Sequence, residues 1–436
     1  MKMLKAKKIL PLCLMAALAA CASKKDIPQG KRISVIDAPA LSEQNFSKKD
    51  FVLSKATTLE KWTQLGSNER HLNQNLSLSP EPQKVWTIDF GSGSSKRNLL
   101  LAAPVVQNGI IYTQDVSGTV RAFSIESGKQ IFKQKLLPLN KNDAESGLNG
   151  VGLALGAKNL YALTGFGGVF ALNATNGNTS WRQDLGKPIR TQPTVSNGIL
   201  YVETIDNQFV ALNAATGSEL WRYNISAEDT VYAGGVSPAV DETKQIVITA
   251  FSNGELQAFN TKIGYSVWSQ NLINTRFAPS AIHALKASPV IDEHIVYAAG
   301  SNDQTIAADV ETGEIIWQVP VGGMSSPLVD KEVIFLVTNS YELLALDKKT
   351  GRILWQTPLL DDMSHKDRRT VHIFSPLLLN GKLLVATSNG WLLHFNPKDG
   401  TFLSEDFAGE DLAVGPIVAN GYLILTTKNA KLIGFK

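Results

Sequence analysis

The stretch Ala211-Leu212-Asn213-Ala214-Ala215-Thr216-Gly217-Ser218-Glu219-Leu220-Trp221 decides the fold, because its pattern returns in register along most of the 436-residue chain. Ala122-Phe123 is followed by Gly128 and Phe132, and Ala171-Leu172 by Gly177 and Trp181. Ala258-Phe259 is followed by Gly264 and Trp268, Ala307-Ala308 by Gly313 and Trp317, and Ala345-Leu346 by Gly351 and Trp355. In these six copies the aromatic stands four residues after the glycine. A seventh copy, Phe395 with Gly400, carries Ser404 in the aromatic slot and offers Phe402 as a substitute. The seven glycines lie 49, 40, 47, 49, 38 and 49 residues apart. That is the period of a four-stranded propeller blade, not of a helical repeat.

Each unit reads as four short strands. A proline marks the entry (Pro104, Pro193, Pro238, Pro289, Pro327, Pro376 or Pro416), a β-branched run such as Thr194-Val195 follows, and a turn such as Asn197-Gly198 reverses the chain. A second apolar strand (Ile199 to Val202), the Ala-Leu strand, the Thr-Gly turn and the Trp strand complete the unit. Small Ala beside a large apolar residue suits close sheet-on-sheet packing, and the Trp has the width of a wedge between neighbouring blades. Six of the eight tryptophans, counting Trp86, occupy this slot, which makes them structural.

Val85-Trp86-Thr87-Ile88 is a Trp-bearing strand without its other three, and Pro416-Ile417-Val418, Tyr422 to Leu425 and Leu432 to Phe435 are three strands without a fourth. Joined, they make an eighth blade and remove the two edges that an open array would expose. The expectation is an all-β, eight-bladed propeller of four-stranded antiparallel blades over residues 81–436, its last blade closed by an N-terminal strand.

Upstream, a basic start (Lys2, Lys5, Lys7, Lys8), an apolar run and Leu18-Ala19-Ala20-Cys21 read as a secretory leader of residues 1–20 ending in a lipobox. Cys21 is then the lipid-bearing N-terminus, and Ala22-Ser23 after it favours the outer membrane. Residues 21–80 read as a lipid-anchored tether and extension, with Trp62 to Gly66 and His71 pointing to a segment lying along the domain surface. The formal charge of +3 becomes −1 without the four leader lysines, so the basic balance does not point to nucleic acid. The mature chain retains Cys21 alone, which rules out an intramolecular disulfide.

No H-E-x-x-H, paired-Cys, G-x-S-x-G or P-loop pattern is present, and the six histidines are scattered. Gly150-Val151-Gly152 and Gly165 to Gly168 read as turns, since no helical pattern follows. Four inter-blade connectors are long: Lys133 to Asn149, Arg222 to Val236, Ser269 to Ala287 and Gln356 to Phe374. In an up-and-down blade they share one face, where apolar and charged residues (Tyr232, Phe277, Leu285, Asp361, Asp362, Arg368) suit a partner-binding surface.

The repeat A-L-[DN]-x-x-T-G-x-x-x-W with a preceding S-P-[VL] resembles that of the pyrroloquinoline-quinone propellers. One branch of that family consists of dehydrogenases that hold the quinone over the propeller axis against a Cys pair, with Ca²⁺ bound by acidic and amide side chains; the missing Cys pair speaks against it here. The other branch, the BamB lipoproteins of the outer-membrane β-barrel assembly machinery, is similar in lipobox, length and split closing blade. Gly235 to Val240 and Phe251 to Leu256 look like its alphaproteobacterial members. This resemblance implies a non-enzymatic scaffold without a cofactor. Its partners would be a BamA-type barrel subunit, other lipoproteins of the machinery and unfolded barrel proteins. In enteric members a Leu-x-Leu-Arg-Gly loop and an acidic pair contact the barrel subunit. Here the first loop reads Thr230-Val231-Tyr232-Ala233-Gly234, followed by Gly235, and the second connector carries Arg276, Leu285 and Lys286. The resemblance therefore implies contact at Thr230, Val231, Tyr232, Gly234, Gly235, Arg276, Leu285 and Lys286, chiefly apolar and through backbone. A quinoprotein-like enzyme, or a small-ligand binder using the central channel, is the alternative.

Overall fold

A computed structural model describes residues 50–138, 150–189, 191–225, 235–272, 287–300, 304–323, 325–360 and 370–436. They form eight four-stranded antiparallel sheets. Blades 1 to 7 are contiguous in sequence, at residues 105–135, 152–184, 194–224, 239–271, 290–319, 328–358 and 377–407. Blade 8 takes Leu412–Ala419, Tyr422–Thr427 and Lys431–Phe435 from the end of the chain and its outermost strand, Lys84–Asp89, from the beginning. Trp86 pairs with Gly434, Thr87 with Ile433 and Ile88 with Leu432. The eight-bladed ring with a split closing blade is the expected fold.

In each blade the first strand lines the axis. The third strand is almost wholly buried, as in Gly168–Asn173, whereas the fourth alternates toward solvent, as in Thr179–Asp184. Asn197 and Gly198 both adopt positive φ (45° and 78°), as the tight hairpin of blade 3 requires.

The repeat signature is a joint between blades. Ala211 faces Trp221 across the third and fourth strands, and one residue later the register slips so that Leu212 faces Glu219. The same pairing and slip recur in blades 1, 2, 4, 5 and 6. The small residue leaves room for the indole, whose other face rests on the Thr-Gly turn of the next blade. A Cβ on Gly217 would lie 2.5 Å from the Trp181 ring. Each indole N–H donates to a carbonyl of that turn: Trp181 to Ala214 (3.0 Å), Trp221 to Thr261 (2.9 Å), Trp268 to Val310 (2.8 Å). Trp317 donates to Lys348 (3.0 Å), Trp355 to Pro397 (2.9 Å) and, from the closing strand, Trp86 to Ile125 (2.8 Å). Phe132 lacks the N–H; there the Tyr112 hydroxyl donates to Ala174 O (2.9 Å), as that of Tyr161 does to Ala214 O beside Trp181 (2.8 Å). The indoles thus lie between neighbouring blades, as expected of a structural residue, and each is also hydrogen-bonded to the turn on which it rests.

One seam departs from this rule. In blade 7 the sizes are exchanged, His394 facing Ser404, and blade 8 has no turn between its third and fourth strands because they come from opposite ends of the chain. Phe402 does not substitute: it is 54% exposed, and its ring meets that of Phe395 in its own blade, edge-on at 5.8 Å.

Gly217 and Gly198 share a φ of 78°, yet only Gly217 is crowded by an indole. Gly198→Ala is expected to cost about 1–2 kcal/mol, the strain of a left-handed alanine. Gly217→Ala adds a further ~1–3 kcal/mol for displacing Trp181. Urea unfolding of the two variants checks this, and equal losses would remove the indole–glycine joint as a source of stability.

Candidate functional site

Residues 50–83 carry no repeat, yet the described part of this segment is tied to every blade. The innermost strand of each blade has an edge turned to the axis, and its N–H and C=O groups need partners. Residues 54–76 supply them while making one circuit of the ring. The Ser54 N–H donates to Asp330 of blade 6 (2.8 Å) and Leu59 O accepts from Asn420 N–H of blade 8 (2.8 Å). Trp62 exchanges both backbone bonds with Val106 of blade 1 (2.8 and 2.7 Å). Thr63 O accepts from Leu155 N–H of blade 2 (2.7 Å), and Gln64 Oε1 from Val195 N–H of blade 3 (2.8 Å). Glu69 O accepts from Val240 N–H of blade 4 (2.7 Å) and Arg70 O from Ile291 N–H of blade 5 (2.9 Å). Leu76 donates to Leu378 O (2.8 Å) and accepts from Asn380 N–H (2.9 Å) in blade 7.

Side chains lock this belt in place. Buried Asp330 also accepts from the Ser54 hydroxyl, and Arg70 pairs with buried Asp241 at 3.2 Å. Gly66 and Ser67 reverse the chain with φ of 68° and 76°. His71, at φ 57°, donates from Nδ1 to Pro289 O (2.8 Å). Trp62, Gln64 and His71 are buried, so this stretch closes the axis at the end bearing the Asn-Gly turns and does not lie along the outer surface as expected.

The belt is the floor of an axial cup of about 270 Å³. Its walls are the residues entering the innermost strands: Ala103, Gln192, Ser288, Ser326, Ser375 and Gly415, each standing directly before a proline. The repeat thus brings one sequence position from six blades to a common centre. Ser288 accepts from Ser237 N–H and Ser326 from Ser288 N–H, both at 3.0 Å, chaining blades 4, 5 and 6. Among the described residues, no Asp, Glu, Lys or Arg lines the cup. Among these residues a carboxylated quinone would find no cation and Ca²⁺ no carboxylate, so the described lining does not fit that cofactor. Among the described residues no cluster of three His, Cys, Asp or Glu is placed to hold a metal.

Of the contact residues expected from sequence, Gly235 is described. It lines the cup, and its Cα packs so closely on Thr191 that a Cβ would lie 2.5 Å from that side chain. Cys21, Thr230, Val231, Tyr232, Gly234, Arg276, Leu285 and Lys286 lie outside the described residues. The belt was missed by sequence reading. The available signal was its density of Leu59, Trp62, Leu65, Leu76 and Leu78, too apolar for a solvated tether.

A propeller built on this indole–glycine repeat belongs to the class of pyrroloquinoline-quinone-like propellers. Within that class, the family described as "Outer membrane protein assembly factor BamB" matches residues 117–357, more than half of the chain, and the chain belongs to that family. The Yersinia pestis outer membrane protein assembly factor BamB is 26% identical over 81% of this chain and 88% of its own length. Among solved structures, BamB from Moraxella catarrhalis matches with a TM-score of 0.66 at 17% identity, covering 82% of this chain and 98% of that one. A europium-containing methanol dehydrogenase matches with a TM-score of 0.68 at 12% identity, covering 86% and 98%. These two likenesses establish the fold.

Burial pushes the His71 imidazole down to about 4. Between pH 6.5 and about 4 the unfolded chain takes up a proton that the folded chain refuses, so stability falls as pH falls, by up to ~1.4 kcal/mol per unit. Asparagine tolerates the positive φ and keeps a donor for Pro289. His71→Asn is therefore expected to flatten this part of the curve in urea titrations from pH 7 to 4; parallel curves would refute a buried neutral imidazole.

Proposed function

We propose that this chain is a non-enzymatic scaffold of the outer-membrane β-barrel assembly machinery. It is anchored through Cys21 after removal of residues 1–20, with its ring in the periplasm. The observation that carries this reading is the axis: the chain's own belt fills one mouth, and the described lining of the cup above it holds none of the charged groups that a quinone and its metal would need. Membership of a family whose relatives are named outer membrane protein assembly factors supports the same conclusion. The ring then acts by presenting a rigid surface. The connectors around Thr230–Gly235 and Arg276–Lys286 meet the periplasmic part of a barrel-forming subunit, and the exposed outer strands are available to unfolded clients by strand addition. Of residues 21–80, those before the belt serve as the tether and the belt itself serves the ring.

Purification of the full chain from detergent-solubilised envelopes is expected to bring down an outer-membrane barrel subunit. Tyr232→Ala with Leu285→Asp should lower that yield roughly tenfold, as loss of two interface anchors does. Cys21→Ser should release the protein from the membrane fraction. Unchanged copurification by the double variant would end the assignment of these connectors, and dehydrogenase activity on addition of quinone and Ca²⁺ would end the scaffold reading.

A further inference from the structure

The described lining of the axial cup carries polar groups to which the assembly role assigns no task. Four polar atoms at its surface are buried and without a partner: His71 Nε2, Asn73 Oδ1, Gln192 Oε1 and Ser325 Oγ. His71 is 4% exposed and Ser325 6%, so neither is satisfied by bulk water. The tautomer of His71 is set by geometry. Its Nδ1 faces a carbonyl at 2.8 Å and must carry the hydrogen, which leaves Nε2 as a lone-pair acceptor. Gln192 spends its amide N–H₂ on Leu101 O (3.3 Å), leaving its oxygen. The floor and one wall therefore present acceptors.

The opposite wall presents donors. Ser288 and Ser326 each use an oxygen lone pair to accept a backbone N–H from the neighbouring blade, and their hydroxyl hydrogens remain to be given away. Trp62 and Phe374 contribute apolar surface between these polar groups. The described lining selects further: it holds no Asp, Glu, Lys or Arg, so an ionised ligand would lose hydration there without gaining a counter-charge from these residues. A cavity of about 270 Å³ lies just under the usual range of drug-sized pockets.

A small neutral molecule that donates and accepts through several hydroxyls, and has an apolar ring face, meets all of these conditions. We propose that the axial cup binds a neutral pyranose, held by hydrogen bonds to His71, Asn73, Gln192 and the serines of blades 5 and 6. The proposal does not rest on the assembly role, and its test is run without a barrel subunit. The same chemistry is offered by a free monosaccharide and by the terminal residue of a glycan, and the two are separable by chain length.

The test uses the full chain in a detergent without a sugar headgroup. Saturation-transfer NMR and calorimetry are run with glucose, N-acetylglucosamine, the linear N-acetylglucosamine trimer, glucuronate and glucosamine. Saturable binding of a neutral sugar with Kd on the order of millimolar is expected for so small a ligand. A tighter trimer indicates a glycan end, and equal or weaker binding of the trimer indicates the free sugar. His71→Asn, which keeps the bond to Pro289, and Gln192→Leu should each weaken binding at least about tenfold, the loss of one well-placed hydrogen bond, with thermal melting confirming a folded ring. The proposal is overturned by absence of saturable binding, by unchanged affinity in both folded variants, or by preference for glucuronate or glucosamine.

Discussion

The ring depends on one contact repeated from blade to blade: an aromatic ring lying flat on the glycine of the next turn. The joint needs three residues, two on neighbouring strands of one sheet and one in a turn of the next. A small residue must face the aromatic across its own blade, the aromatic must stand at the edge, and the receiving turn must have no side chain. At the seam between blades 7 and 8 all three are lost together. His394 is large where alanine is required, Ser404 is small where tryptophan is required, and the receiving turn cannot exist where the two ends of the chain meet. Residues 77–83, passing from the belt to the closing strand, line the groove of about 930 Å³ left at that seam. Side chains of blades 7 and 8 pack there as one core with Leu76 and Leu78.

The belt completes what the joints begin. Joints couple neighbouring blades near the rim, whereas the belt couples all eight at the axis through the edges of their innermost strands. Fixing an irregular segment costs about 1–2 kcal/mol per residue in backbone entropy, so its hydrogen bonds alone would not hold it. Burial of Phe51, Trp62, Leu76 and Leu78 supplies the rest. Because the belt leads directly into Lys84–Asp89, the strand that closes the ring is delivered by a segment already bonded to the other blades.

Much of this was legible in the chain because a repeated pattern reports a repeated environment. The spacing of Gly128 to Gly400 set the blade count, and the orphan Trp86 strand with its three-stranded counterpart set the closure. The role of the tryptophans was legible only in part: width suggested a wedge, but the receiving carbonyl lies some forty residues away in the next unit and carries no signature of its own. The belt was not legible, because most of its partners are backbone groups that any residue supplies, and its eight contacts obey no sequence period. The cup was half legible. The residue before each strand-entry proline was in plain view, but convergence of that position on the axis follows only once the ring is closed.

A fold shared with a methanol dehydrogenase and with BamB proteins leaves function to the residues on it. In a propeller the axis is where one position of every repeat meets, so a change at that position alters the centre while the joints at the rim are conserved. Here the position before the proline is Ala, Gln, Ser, Ser, Ser or Gly at the cup wall, small or neutral throughout, and the opposite mouth is filled by the chain's own backbone. Among the described residues no Asp, Glu, Lys or Arg reaches this centre. What remains available is a stiff ring, an uncharged polar cup and the surface formed by the connectors. These are properties of a protein that acts by holding and presenting.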